Sequence, residues 1–213
     1  MAVLSRRGAQ ASAARRAGAE SRLLSATEVL LAEGGAYADL TIEQIASRAG
    51  LSRSAFYESF PDKRELLKRL AQGAAEPLIA ATDALARFGR DDGEGVRPLM
   101  TGALSLARDN AAVFRAVFEA STYDEEIAAF WLEIGGRFAD PLAAQIRDGQ
   151  GAGALPVDPR AGAAVLVGAV VQALYHQVSG DTDLSDDQLV DALTALWERA
   201  LFGSSTLDRT GQS

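Results

Sequence analysis

The chain has 213 residues, 48% of them apolar, with no cysteine and a single histidine. That length can bury the core of one large or two modest domains, and the missing cysteine excludes disulfides, thiolate metal centres and cysteine nucleophiles. The net charge of −8 taken whole speaks against nucleic acid, yet residues 1–70 hold 11 Lys/Arg against 8 Asp/Glu while residues 71–213 hold 10 against 21, so a basic third is joined to an acidic remainder.

Residues 1–19 are polar, Ala/Arg/Ser-rich and aperiodic, and read as a flexible basic arm. From Glu20 to Glu33, Leu23, Ala26, Leu30 and Leu31 recur on a helical stripe that Gly34-Gly35 ends. Thr41 is a good N-cap with Gln44 as its capping-box partner, and Gly50 stops that helix. Ser52 caps the next helix, which runs to about Phe60 before Pro61. Asp62 and Glu65 open a long helix over residues 63–88, bent near Pro77.

The acidic remainder is read as helical too. "PLMTGALSLARDN" and "AAVFRAVFEAS" are short helices, and "DEEIAAFWLEIGGRFADPLAAQIRDG" is a long one interrupted around Pro141. Asp158 followed by Pro159 starts a helix to about Ser179, and Ser185 with Gln188 boxes the last. With no strand and no repeat, the expected fold is all-α with about nine helices. A small three-helix unit over residues 20–70 precedes a larger helical domain over residues 71–213. The N-terminus lacks the apolar run of a signal peptide. The longest apolar run, residues 161–171, is shorter than the roughly 20 residues of a membrane helix. A cytoplasmic protein without membrane contact is the expectation, and the absence of cysteine fits a reducing compartment.

The stretch "GLSRSAFYESFPDK" carries the functional signal. At about 100° per residue, Ala55, Phe56, Ser59 and Phe60 fall on one side of the helix and Arg53, Ser54, Tyr57 and Glu58 on the other. The first side can pack on Ile42, Ile45, Ala46 and Leu51, with Ala49-Gly50-Leu51 as the tight turn of a helix-turn-helix. The second carries a guanidinium, a hydroxyl and a phenol, which suit base edges and phosphates in a major groove. A solvated helical corner is the bland alternative for a bare pattern of this kind.

The wider pattern resembles the DNA-binding domain of the TetR/AcrR family of transcriptional regulators. The resemblance lies in residues 23–67, at Thr41, Ile45-Ala46, Ala49-Gly50, Ser52, Phe56-Tyr57, Phe60, Lys63 and Leu66-Leu67. Ser59 departs from it, since histidine is common there, and the glycine usual in the recognition helix is missing. The resemblance implies a DNA-binding set of Thr41, Ser52, Arg53, Ser54, Tyr57 and Lys63. Thr41, Tyr57 and Lys63 would touch phosphates, with Arg53 and Ser54 nearest the bases. A phosphate also suits the helix N-terminus at Thr41, and Arg53 suits bidentate guanine readout. Arg6, Arg7, Arg15 and Arg16 could enter a minor groove or remain solvated.

The C-terminal half resembles the EthR-like branch of the same family in "EEIAAFWLEIGGRF", "GAGALPVD" and "LWERALFG". That likeness implies a mostly apolar effector cavity with Trp131, Phe138, Tyr175 and Trp197 at pocket positions. Phe114 and Phe118 form a further aromatic stripe, although such stripes are more often plain core. Val167 and Val170 stand where that branch has amides, and Gln172 and Tyr175 are the expected polar replacements. It further implies a homodimer through the last two helices. Small residues (Ala161, Gly162, Ala164, Gly168, Ala169) would permit close approach on one helix, and the last would contribute Leu189, Leu193, Leu196 and Leu201. Two-fold pairing would set two recognition helices on a palindromic operator in double-stranded DNA, and the effector would weaken that binding.

The rival readings are an enzyme and a hydrophobe-binding bundle without DNA binding, with activation a variant of the regulator reading. No catalytic residue, metal site or cofactor is expected. His176 is a lone histidine among apolar residues, and Glu125-Glu126 and Asp186-Asp187 are adjacent acids at helix starts. There is no phosphate-binding glycine loop.

Overall fold

The computed structural model describes residues 2–88, 95–149 and 157–202, with side chains over 13–83, 95–148 and 157–202. Among the described residues all regular structure is helical. The order is α1 (Ala2–Ala32), a 3-10 turn (Tyr37–Asp39), α2 (Ile42–Arg48), α3 (Arg53–Ser59), α4 (Lys63–Phe88), α5 (Val96–Asp109), α6 (Ala111–Ala120), α7 (Glu125–Gly149), α8 (Pro159–Ser179) and α9 (Asp186–Phe202). Two results differ from the sequence expectation. Residues 2–19 continue α1 rather than forming a separate arm, because alanine and arginine are strong helix formers and nothing in the segment breaks the helix. Pro141 lies inside α7 without interrupting it. The proline removes one backbone donor, while Leu142, Ala143 and Ile146 stay buried just beyond it and hold the helix on course.

The chain divides into two compact units. The first comprises residues 1–71 with 112–128, and the second residues 72–111 with 129–213. Residues 112–128, grouped from sequence with the second domain, therefore join the first. Part of the reason is electrostatic: Arg64 on α4 donates to Glu126 at 2.7 Å, with Asp124 at 3.9 Å, and Lys68 lies 3.5 Å from the same Glu126.

In the first unit α1, α2 and α3 pack mutually around Leu23, Leu31, Ile45, Phe56, Phe60, Leu66 and Leu67, all nearly or fully removed from solvent. The caps form as the residue types dictate. Thr41 Oγ1 accepts from the Gln44 N–H at 3.2 Å while Gln44 Oε1 accepts from the Thr41 N–H at 2.8 Å, and Ser52 Oγ accepts from the Ala55 N–H at 3.1 Å. Between the two short helices Gly50 turns the chain at φ +63°, a conformation costly for any residue with a Cβ. Arg22 reaches across from α1, donating to the carbonyls of Ala49 and Gly50, so the turn is tied down from outside as well.

In the second unit α5 packs along α9 and also meets α8. The apolar residues that close it include Leu99, Met100 and Leu104 on α5, and Leu189, Leu193, Trp197 and Leu201 on α9. Ion pairs Arg97–Asp191 and Arg108–Asp186 flank this packing. Asp158 caps α8 by accepting from the Ala161 N–H at 2.9 Å. Gly162 admits Val157 and Ile146 to within 2.9 and 3.4 Å of where a Cβ would stand, so α8 starts close against α7.

Gly50→Ala is expected to destabilise the chain by about 1–2 kcal/mol, from the left-handed conformation alone. The added Cβ would also stand 2.8 Å from Arg22 Nη2 and force that side chain off its carbonyls. Urea denaturation measures the change. A loss below about 0.5 kcal/mol would show that the turn is not held as described.

Candidate nucleic-acid interface

The surface of interest is built by what lies under it. Phe56 has no solvent exposure and Phe60 only 2%, their ring centroids 6.0 Å apart. With those rings inward, the spacing of a helix turns Ser52, Arg53, Ser54, Tyr57 and Glu58 outward, and all five are exposed. Ala55 and Ser59 sit at the margin, Ser59 Oγ donating to the Ala55 carbonyl at 3.3 Å. The outward face of α3 is thus the one read from the helical wheel, and at its edge Tyr57 stands edge-on to Phe56, centroids 5.6 Å apart.

Arg53 is not a free cation. Its guanidinium pairs with Glu43 in the first turn of α2, donates to Tyr57 Oη at 3.3 Å, and lies 5.7 Å from the Tyr57 ring centroid. Both partners of the pair are more than half exposed, so the contact is worth little in stability. It does hold the guanidinium between a carboxylate and a phenol on the outer surface. Glu43 was not singled out from the sequence. The available signal was its place in the first turn of α2, ten residues before Arg53 across a tight helix-turn-helix, where an acid also suits the helix dipole.

Thr41 is exposed at the α2 N-terminus, its hydroxyl engaged with Gln44. Lys63 is placed otherwise than a phosphate contact requires. Its ammonium donates to the carbonyls of Tyr37, Ala38 and Leu40 at 3.1, 2.9 and 3.0 Å, and sits 4.8 Å from the Tyr37 ring centroid. Burial lowers its pKa below the usual lysine range, with Asp39 acting in the opposite sense. Burial likewise raises the Tyr37 phenol above its ordinary range, aided by Tyr123, Asp62 and Asp124. Arg15 and Arg16 are exposed on α1, and the side chains of Arg6 and Arg7 lie outside those described.

The candidate effector residues are distributed between the two units. Phe114 and Phe118 are half-buried in the first; Trp131, Phe138 and Tyr175 are half-buried, and Trp197 fully buried, in the second. Gln172 is exposed on the outer side of α8, 2.7 Å from His176, and so does not serve as the buried amide expected of it. That position falls to Gln145 on α7, an unremarked residue in the sequence reading, whose two polar side-chain atoms are buried without a hydrogen-bond partner. Thr194 Oγ1 and Trp197 Nε1 are in the same condition. Such groups each cost about 1–3 kcal/mol when left unpaired, which makes a polar guest or water at these sites favourable. Among the described residues no cluster of side chains could hold a metal ion.

Residues 23–70 match the family described as "Bacterial regulatory proteins, tetR family", and residues 97–203 match "Transcriptional regulator EthR, C-terminal domain". The chain is 25% identical over 193 residues to the HTH-type transcriptional regulator EthR of Mycolicibacterium smegmatis, covering 87% of each. Its fold is similar to that of SmeT, the repressor of the Stenotrophomonas maltophilia multidrug efflux pump SmeDEF, with 19% identity, TM-score 0.68 and coverage of 85% of this chain and 89% of that one. It is also similar to the transcriptional regulator FadR from Bacillus subtilis, solved in complex with stearoyl-CoA, with 18% identity, TM-score 0.68 and coverage of 86% and 98%.

Removing the acid from the Arg53 pair tests whether that contact is a surface tether or a structural one. Glu43→Gln is expected to change stability by less than about 0.5 kcal/mol, as for other exposed pairs. A loss above about 1 kcal/mol in urea melts would mean that the pair supports the helix-turn-helix itself.

Proposed function

The chain belongs to the TetR family of bacterial regulatory proteins, with an EthR-type C-terminal domain, and is a transcriptional regulator rather than an enzyme; on that premise we propose that it is a ligand-responsive repressor that binds a palindromic operator as a dimer. The observation that carries the proposal is the exposed Arg53–Ser54–Tyr57 face of α3, set by the buried Phe56 and Phe60 beneath it. In this reading α3 enters the major groove. Arg53 exchanges Glu43 for a guanine edge, Ser54 lies beside it, and Tyr57 and Thr41 meet phosphates. The Glu43 carboxylate disfavours an Arg53 held by phosphate alone and so restrains binding to arbitrary sequence.

Dimerisation places two such faces on one side of the duplex. The open faces of the last two helices support it. On α8, Ala161, Ala164, Val165, Gly168 and Ala169 are exposed in a stripe of small and apolar residues, and on α9 Ala192 and Leu196 are exposed. Leu189, Leu193 and Leu201, grouped from sequence with the dimer face, are instead buried in the chain's own core. They are left out of the proposed interface.

The effector site is proposed in the second unit, among Trp131, Phe138, Tyr175 and Trp197. The unpaired Gln145, Thr194 and Trp197 groups suit a guest that is mostly apolar with one hydrogen-bonding end. Binding to one dimer conformation only would shift the population away from the operator-competent one.

On a duplex selected by the protein from random sequence, Arg53→Ala is expected to weaken binding by about 1–3 kcal/mol, roughly 5- to 150-fold, and to relax the preference at one base pair per half-site. Tyr57→Phe is expected to weaken all sequences alike. Fluorescence anisotropy across a salt series reads both effects. A wild-type protein with neither a sequence preference nor a steep salt slope would instead be a carrier of apolar molecules.

A further inference from the structure

We propose that Lys63 is a positioning residue that fixes the α2 N-terminus from behind, and not a contact to DNA phosphate. An ammonium has three donors, and here all three are directed at main-chain carbonyls, those of Tyr37, Ala38 and Leu40. These belong to the 3-10 turn and the residue after it, immediately before the Thr41 cap. Carbonyls at such an end carry partial negative charge and lack partners of their own. The Tyr37 ring, 96% buried, forms a floor 4.8 Å from the ammonium nitrogen. The cation therefore occupies a half-buried socket built for a point charge with three donors.

The consequence for recognition is geometric. Leu40 is buried and its carbonyl is held by Lys63, while the next residue, Thr41, is held from the other side by Gln44. The start of α2, and with it Glu43, is thereby fixed between two restraints. A Lys63 that swung out to a phosphate would abandon three carbonyls at once. One new charge-assisted bond does not replace three existing ones in a partly desolvated site. Arginine is no substitute, because its planar fork cannot aim three donors from one point over the Tyr37 ring.

The test uses the full-length chain, a duplex selected by the protein, and a random-sequence duplex of equal length, and its binding arm rests on the DNA-binding reading given above. Lys63→Met and Lys63→Arg are each compared with the wild type in thermal midpoint and in the slope of log affinity against log salt. The positioning role predicts a lower midpoint in both variants and roughly tenfold weaker binding to the selected duplex. The salt slope should stay within half of the change that one lost phosphate contact per subunit would bring. A phosphate role predicts the reverse: a slope shallower by about 0.9 per subunit in the methionine variant, with the arginine variant binding like the wild type. An unchanged midpoint in Lys63→Arg, or the full slope loss in Lys63→Met, overturns the proposal. Should the methionine variant fail to fold, the arginine variant decides alone, since it keeps the charge and removes only the socket geometry. Were the wild type to bind neither duplex, the DNA-binding reading fails, while the two midpoints still decide whether Lys63 holds this turn.

Discussion

The burial of Phe56 is the contact on which the rest depends. α3 has seven residues, too few to hold a helical conformation in water unaided. Its orientation comes from one ring with no solvent exposure, placed among residues of α1 and α2. Take that ring out and Arg53, Ser54 and Tyr57 lose a fixed direction, whatever their chemistry. A truncation of this kind in a packed core costs about 3–5 kcal/mol, a large part of the total stability of a small helical unit. The reading face is therefore no more rigid than its hydrophobic underside.

Electrostatics then decides how that face is used. The protein is acidic overall, and the acid is concentrated in residues 71–213, so general attraction to a polyanion is weak and local charge has to compensate. Locally the strongest cation is matched to Glu43 and a second, Lys63, is matched to carbonyls. Much of the positive charge counted in the first 70 residues is already engaged in this way: Arg48 pairs with Glu33, Arg69 with Glu20, and Arg64 with Glu126 and Asp62. Counting basic residues overstates the attraction, and what remains favours contacts that reward the correct sequence.

How much of this could be read beforehand divides along physical lines. Short-range rules worked. The Thr41–Gln44 and Ser185–Gln188 boxes formed as written, and the wheel over residues 52–60 assigned inward and outward residues as they are found, because both depend on neighbours a few positions apart. Long-range features were missed. Arg22 bonding to Gly50 spans 28 positions, and Lys63 reaching Leu40 spans 23, and no local pattern encodes either. Gln172 and Gln145 were confused for a related reason. α8 is apolar nearly all round, so periodicity could not say which of its sides faces inward. Pro141 misled through a rule that holds for isolated helices and yields when the residues beyond it are buried.

That evenly apolar character of α8 reaches beyond geometry. It is the one described helix long and apolar enough to cross a bilayer, and only 22% of its most apolar window is buried within the chain. A surface such as this, with Val165 71% exposed, is adhesive in water. Whatever covers it stabilises the folded state by mass action. The lifetime of the polypeptide in a cell should accordingly rise with its own abundance, scarce copies being the first that proteases clear.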